Sequence, residues 1–331
     1  MIIAEIGQAH DGSLGLAHSY IDALAATGVD AAKFQVHIAE AESSIHEPFR
    51  VKFSYQDATR YDYWQRMSFT PEQWAGLKQH CEDKGLEFLA SPFSNAAVDL
   101  LEKLGVQRYK IGSGEVTNLL MLEKIARTGK PILLSSGMSS FAELDEVVAF
   151  LQARDAEIAI LQCTTSYPAP AARWGLNVIP ELKARYGVPV GYSDHSGTLA
   201  ACIAAAALGA EIFEFHVAFD RRMFGPDASS SLTIDEISQL VRSIRQVQES
   251  LASPVDKARN EQYADLKRIF EKSLAVNRAL AAGDVLSFDM LESKKPSGHG
   301  LDARRFEEVL GKRVKRDLEQ WSFLNMEDLD D

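Results

Sequence analysis

The chain has 331 residues, with 46% hydrophobic and 25% charged side chains and a net charge of −12. That is enough for one large domain of roughly 250 residues plus a small second one, and the acidic balance argues against nucleic acid or an acidic membrane as the main partner. An anionic small substrate is still allowed, because a local cluster of lysines can outweigh a distant acidic surface. No apolar run reaches the length of a membrane span, and MIIAEIG has no basic region and enters a strand at once. Cys81, Cys163 and Cys202 are scattered, without CxxC spacing. A cytoplasmic protein without a disulfide framework is the expectation.

In chain order, short runs rich in Val, Ile, Leu and Phe recur: IIAEIG (2–7), AAKFQV (31–36), LEFLAS (86–91), QRYKIG (107–112), PILLSS (131–136), EIAILQC (157–163), VPVGYS (188–193) and EIFEFH (211–216). A long insertion at 37–70, rich in aromatics and charge, separates the second from the third. Helical patterns such as 71–85 and 140–155 stand between the others, as does the Ala-rich TLAACIAAAALGA. Continuous apolar strands alternating with amphipathic helices mean a parallel sheet covered on its outer face. Eight such units predict an α/β fold, a (β/α)8 TIM barrel over 1–250. A polar linker with one helical segment follows at 251–273. The remainder, 274–331, reads as a small β-rich domain whose marginal core must pack on its own barrel or a neighbour's.

In a parallel barrel the reactive groups sit at the C-terminal ends of the strands. Ionisable and hydroxyl residues stand there on every predicted strand: Glu5, Lys33 with Gln35, Ser91, Lys110 with Ser113 and Glu115, and Ser135. Thr164 with Thr165 and Tyr167, Ser193 with His195, and Glu214 with His216 complete the ring. His195 and His216 end corresponding strands, so their imidazoles face one small volume where a divalent metal would find nitrogen ligands. Lys33 and Lys110 sit in apolar company, and a buried lysine without an anionic partner is costly, so a bound anion is expected. IGSGE (111–115) and LSSGM (134–138) are strand-to-helix turns whose N–H groups and serines suit phosphate or carboxylate. A nucleophilic triad is not expected: GxSxG is absent and Cys163 has no evident histidine partner.

The order AEIGQAHDGS, KFQ, SPFS, YKIGSGE, LSSGM, CTTSYP, GYSDHS, EFHVAFDRRMFGPD and KKPSGHG resembles the N-acetylneuraminate (sialic acid) synthase family over almost the whole chain. The C-terminal segment resembles the antifreeze-like (SAF) domain of these synthases. The resemblance implies a barrel that condenses phosphoenolpyruvate with an amino-sugar aldehyde similar to N-acetylmannosamine, giving a sialic-type nonulosonic acid and phosphate. It also implies a swapped homodimer in which the SAF domain caps the partner's barrel. By position, His195 and His216 match metal ligands, usually for manganese, with magnesium or cobalt as other divalent ions. Lys33, Ser91, Lys110, Ser113, Ser135, Thr165 and Ser193 match the phosphoenolpyruvate set; Gln35, Tyr167, Asp227 and Lys295 match groups facing the sugar. Glu5, Glu115 and Glu214 stand as candidate bases.

Several positions depart from that pattern, most of them on the sugar side, while Thr165 loosens the expected phosphate contact. Ala9 and Thr165 stand where asparagines are expected, Lys295 where an arginine is expected, and an aromatic is missing near Ile269. Lysine cannot make a planar bidentate contact, so the change at Lys295 is chemically real. A related synthase acting on another hexosamine-type aldose is the expectation. Two alternatives stay open: a barrel synthase for phosphorylated sugars, with Arg221, Arg222 or Lys294 as its basic patch, and a non-catalytic carbohydrate-binding protein.

Overall fold

β-Branched and aromatic residues in short apolar runs favour extended backbone, and each of the eight expected strands forms within two residues of its expected bounds. They are β1 (Ile2–Gly7), β2 (Ala31–Val36), β3 (Glu87–Pro92), β4 (Tyr109–Ile111), β5 (Ile132–Ser135), β6 (Ile158–Cys163), β7 (Val190–Asp194) and β8 (Ile212–His216). These come from a computed structural model that describes residues 1–51 and 53–330. The strands pair in parallel in the order β3-β2-β1-β8-β7-β6-β5-β4, and β3 lies beside β4 to close the barrel. β7 and β8 are neighbours, with the Ala-rich run folded as helix Leu199–Ala207 between them.

Side chains alternate along a strand, so one parity of every strand faces the barrel axis. Near the strand starts that parity is apolar: Ile3, Ala31, Leu89, Leu133, Ala159, Leu161 and Ile212 form their own buried cluster. The opposite parity, including Ala4, Phe34 and Ala90, packs in the larger cluster that contains the helices. Two residues further along the inward parity the chemistry changes, to Glu5, Lys33, Ser91, Ser135, Cys163 and Glu214. The barrel is therefore plugged below and polar above.

The insertion at 37–70 carries helices Ala39–Glu42 and Arg60–Met67. Tyr63, Trp64, Met67 and Ala39 form a small separate core backed by Phe49, Phe53 and Tyr61. Arg66 clasps it, with Nη2 2.8 Å from Asp57 and Nη1 2.8 Å from Asp11 in the turn after β1.

The chain divides into two compact units, Met1–Ser253 and the residues from Pro254 on. The segment expected as a linker holds helix Ala264–Phe270. The second unit is built from two short antiparallel pairs, β9 (Ser273–Val276) with β10 (Leu291–Lys294) and β11 (Arg313–Val314) with β12 (Leu329–Asp330). Its core is aliphatic, with Leu274, Val276, Val309, Val314 and Leu324 at its centre.

Gly191 of β7 stands where the barrel leaves no room for a side chain. A Cβ there would lie 2.5 Å from the Ile212 carbonyl oxygen and 3.0 Å from Leu161 Cγ. Gly191→Ala is expected to destabilise the fold by about 1–3 kcal/mol through overpacking, read as a lower urea midpoint at unchanged m-value.

Candidate active site

Four charged side chains, all below 5% exposed, form the floor of the cup. Strand register places them together: Glu5 is paired with Lys33 on one side and His216 on the other. Lys33 Nζ donates to Glu5 Oε1 in a very short contact and lies 3.8 Å from Glu214 Oε2. Lys110 Nζ is 3.1 Å from Glu214 Oε1 and 2.7 Å from Ser135 Oγ, and Ser193 Oγ donates to Glu214 Oε1 at 3.0 Å. The expectation that the lysines lack an internal anion is corrected here: each has a buried carboxylate, placed by strands far apart in sequence. Burial pushes the Glu5 carboxyl up, but Lys33, then His216 and Lys110, outweigh it and hold it far below the usual carboxylate range. Burial works against the Lys33 ammonium, and Glu214 and Glu5 reverse that and raise it. Glu214 Oε2 is buried with no hydrogen-bond partner, an atom left over for a ligand to satisfy.

Beside this floor, the two serine–glycine turns meet. The Gly137 N–H donates to Ser113 Oγ at 3.1 Å, and Ser113 Oγ lies 3.5 Å from Cys163 Sγ. A Cβ at Gly137 would come within 2.6 Å of both Ser113 Oγ and Thr165 Oγ1. Glycine is therefore required for a small cradle of hydroxyls and backbone N–H, a surface that suits anion oxygens. Ser91 faces it from β3, with Oγ 3.4 Å from Lys33 Nζ.

His195 and His216 face each other, with ring centroids 5.3 Å apart. His195 Nδ1 lies 3.0 Å from the Thr164 carbonyl and 3.7 Å from Cys163 Sγ, so Cys163 does have a histidine neighbour, supplied by the next strand. Burial weakens the hold of His195 on its proton, but the Cys163 sulfur and the Thr164 carbonyl outweigh it, to about 9. The Nδ1 contact orients the ring and leaves Nε2 as the free donor. His216 Nε2 lies 3.3 Å from Glu5 Oε2. Among the described residues no group of three or more His, Cys, Asp or Glu side chains is arranged to hold a metal. The donor set fits a divalent ion held by two imidazoles, with its other positions left to water or substrate oxygen; such an ion would compete with a proton on His195.

These residues line one cavity of about 390 Å³, and Glu5, Lys33, Gln35, Ser91, Lys110, Ser113, Glu115, Ser135, Thr165, Tyr167, Ser193, His195, Glu214, His216 and Asp227 all contribute to its wall. Lys295 belongs to the second unit, with Nζ 4.9 Å from the Phe270 ring centre. The insertion supplies wall residues not anticipated one by one, among them Phe49, Arg50, Phe53 and Trp64. Arg50 lies over Tyr167, with Cζ 3.9 Å from its ring centre, and its Nη2 donates to Asp227 Oδ1 at 2.8 Å. It thus joins the two barrel residues expected to face a sugar. Glu115 stands in the turn Ser113–Glu115, where burial raises its carboxyl against the lowering effect of the Asn118 amide. Of the basic residues considered for a phosphorylated sugar, Arg221 pairs with Glu236 and Arg222 with Asp220, and Lys294, in the second unit, donates to the Trp321 carbonyl.

Two measurements check this geometry. Glu214→Ala removes the carboxylate partner of Lys110 and one of two beside Lys33, and is expected to cost about 3–5 kcal/mol in urea unfolding, with Glu214→Gln costing less. His10, fully buried near the insertion with Nε2 unpartnered, is held down to about 4 by burial, then by His37 and Arg66. Its folded value lies below its unfolded one, so its contribution is complete above about pH 6.5 and lost as pH falls toward 4, about 3 kcal/mol in all. His10→Gln is expected to flatten that part of the stability–pH curve.

Known proteins bear on this site. The sequence profile of the NeuB family matches residues 20–256, and that of the SAF domain matches 271–329. The N,N'-diacetyllegionaminic acid synthase of Campylobacter jejuni is 35% identical over 326 residues, covering 97% of this chain and 97% of that protein. Human N-acetylneuraminate-9-phosphate synthase is 33% identical, covering 96% of this chain and 89% of that protein. The solved N-acetylneuraminic acid (sialic acid) synthetase of Leptospira borgpetersenii superposes with a TM-score of 0.71 at 28% identity, over 80% of this chain and 89% of that one. With a barrel whose charged floor and cavity end on these motifs, and relatives named as acid synthases, the chain belongs to the NeuB family and is a transferase of the acid-synthase kind.

Proposed function

We propose that this chain condenses phosphoenolpyruvate with the open-chain aldehyde of a hexosamine-type sugar, giving a sialic-type nonulosonic acid and phosphate. The observation that carries the reading is the convergence, in one cavity, of the Lys33–Lys110 floor, the Ser113–Gly137–Thr165 cradle and the facing imidazoles. Carboxylate and phosphate of the enol ester are held by Lys33, Lys110, Ser91, Ser113, Ser135, Thr165 and Ser193. The enol carbon attacks the aldehyde carbon, and the former carbonyl oxygen takes a proton. The positive character left at C2 is met by water, which gives its proton to a carboxylate, and C–O cleavage of the resulting hemiketal phosphate releases phosphate and leaves the keto acid. A divalent ion, manganese or another, held by His195 and His216 would supply Lewis acidity to the aldehyde oxygen.

The three candidate carboxylates divide by environment. Glu5 stays ionised between Lys33 and His216 and offers fixed negative charge to the cationic C2. Glu214 is held by Lys110 and Ser193 and orders the floor. Glu115, whose proton affinity burial raises, is the better proton carrier near neutral pH. Gln35, Tyr167 and Asp227 face the sugar, with Arg50 stacked across them, and Lys295 would meet it from a cap donated by a partner subunit. Exposed apolar groups on the second unit, including Phe288 and Trp321, suit such a swapped homodimer.

Purified protein with manganese is expected to release phosphate from phosphoenolpyruvate only when an N-acyl-hexosamine is added, and no release with any aldose in a panel of free and phosphorylated sugars would overturn the reading. Gly137→Ala, which fills the cradle, is expected to raise the KM for phosphoenolpyruvate by about tenfold or more, a loss of at least about 1.4 kcal/mol. Glu115→Gln is expected to lower kcat by about 100-fold or more, and chelation of the divalent ion to stop turnover while the fold persists by circular dichroism.

A further inference from the structure

His37, the residue after β2, is buried and lies between two rings. Trp64 from the insertion stacks on one face at 3.7 Å and Phe93 on the other at 4.3 Å, both within 15° of parallel. Its Nδ1 is 2.5 Å from Glu42 Oε1, and Glu42 is itself fixed by the Ile38 N–H at 3.2 Å. Its Nε2 is 3.2 Å from Gln35 Oε1. That same amide oxygen accepts from Gln8 Nε2 at 2.9 Å, while Gln35 Nε2 donates to Glu5 Oε1 at 2.7 Å. Each His37 nitrogen thus faces an oxygen that accepts, a carboxylate at Nδ1 and an amide oxygen at Nε2. With two donors on Oε1, the Gln35 amide has one satisfactory orientation. Turned over, its oxygen would face the Glu5 carboxylate, setting two acceptors against each other.

We propose that His37, backed by Glu42, is a positioning residue that locks the Gln35 amide against Glu5, so that Glu5 Oε1 is filled by Lys33 and Gln35 and Oε2 alone faces the reacting groups. The proposal rests on the synthase reading of the cavity. It assigns to the insertion a task at the floor, because Trp64 holds one face of the ring and Glu42 holds its Nδ1 side. Neither His37 nor Glu42 needs to touch substrate for this.

The test is a double-mutant cycle. His37→Phe keeps a flat ring in the stack and loses both N–H donors; Gln35→Leu removes the amide it acts through. His37→Phe is expected to lower kcat by about 10- to 100-fold, the scale of a small misplacement of a reacting group, with KM for phosphoenolpyruvate within about threefold of wild type. In the Gln35→Leu background the His37→Phe change is expected to add nothing further. Glu42→Gln, which keeps an acceptor oxygen for Nδ1, is expected to retain most of the activity that Glu42→Ala loses. Wild-type kcat in a folded His37→Phe, or fully additive losses in the double variant, would overturn the proposal. Where His37→Phe fails to fold, the Glu42→Gln and Glu42→Ala pair decides by the same kcat criterion. Long-range nitrogen–proton NMR of the wild-type imidazole reads the relay without turnover. Hydrogen-bonded protons on both His37 nitrogens, with the Nε2 signal moved by Gln35→Leu, are expected, and one bare nitrogen would overturn the relay. If the wild type releases no phosphate with any aldose, the synthase reading fails while this spectrum still judges the relay.

Discussion

Everything at the closed end of the cavity depends on one arrangement of buried charge: two ammonium groups and two carboxylates shared among Lys33, Glu5, Glu214 and Lys110. Any one of them alone would be too costly to desolvate, and together they are tolerable only in close, well-aligned contact. Strand register supplies that alignment. A slip of one residue in β2 would turn Lys33 outward and Phe34 inward, exposing an unpaired carboxylate and breaking the apolar packing outside. The charged tier therefore also acts as a check on barrel closure, reached only when β1, β2, β4 and β8 are all in register.

This explains what was legible in the sequence. Apolar runs of four to seven residues with helices between them identify the barrel, and parity within each run identifies the inward residues, which is why Glu5, Lys33, Ser91, Ser135, Ser193, Glu214 and His216 could be named. Partnership could not. Lys33 and Glu5 are 28 residues apart, and Lys110 and Glu214 much further, so only the closed sheet reveals that the lysines already have counter-charges. The same holds for Cys163 and His195, neighbours by way of adjacent strands. The insertion at 37–70 was visible as aromatic and charged, but it has no sustained period of 2 or 3.6, and nothing in its order says which of its side chains turn inward. Arg50, Trp64 and His37 were hidden for that reason.

The cavity is thus made of two kinds of material. Its floor and cradle are strand ends and tight turns, rigid elements that hold their side chains to narrow tolerances. Its upper wall comes from a segment with its own aromatic core, stapled to the barrel by Arg66 through Asp57 and Asp11. That wall also carries Arg50, which spans Tyr167 and Asp227.

The Arg66 staple has an engineering consequence. Because helix Arg60–Met67 is anchored by Asp57 and Asp11, while Phe49, Arg50 and Phe53 precede it in the chain, the segment before the helix is a replaceable cartridge. Exchanging it, with the two aspartates and the arginine retained, would replace that part of the cavity wall without disturbing a single barrel strand.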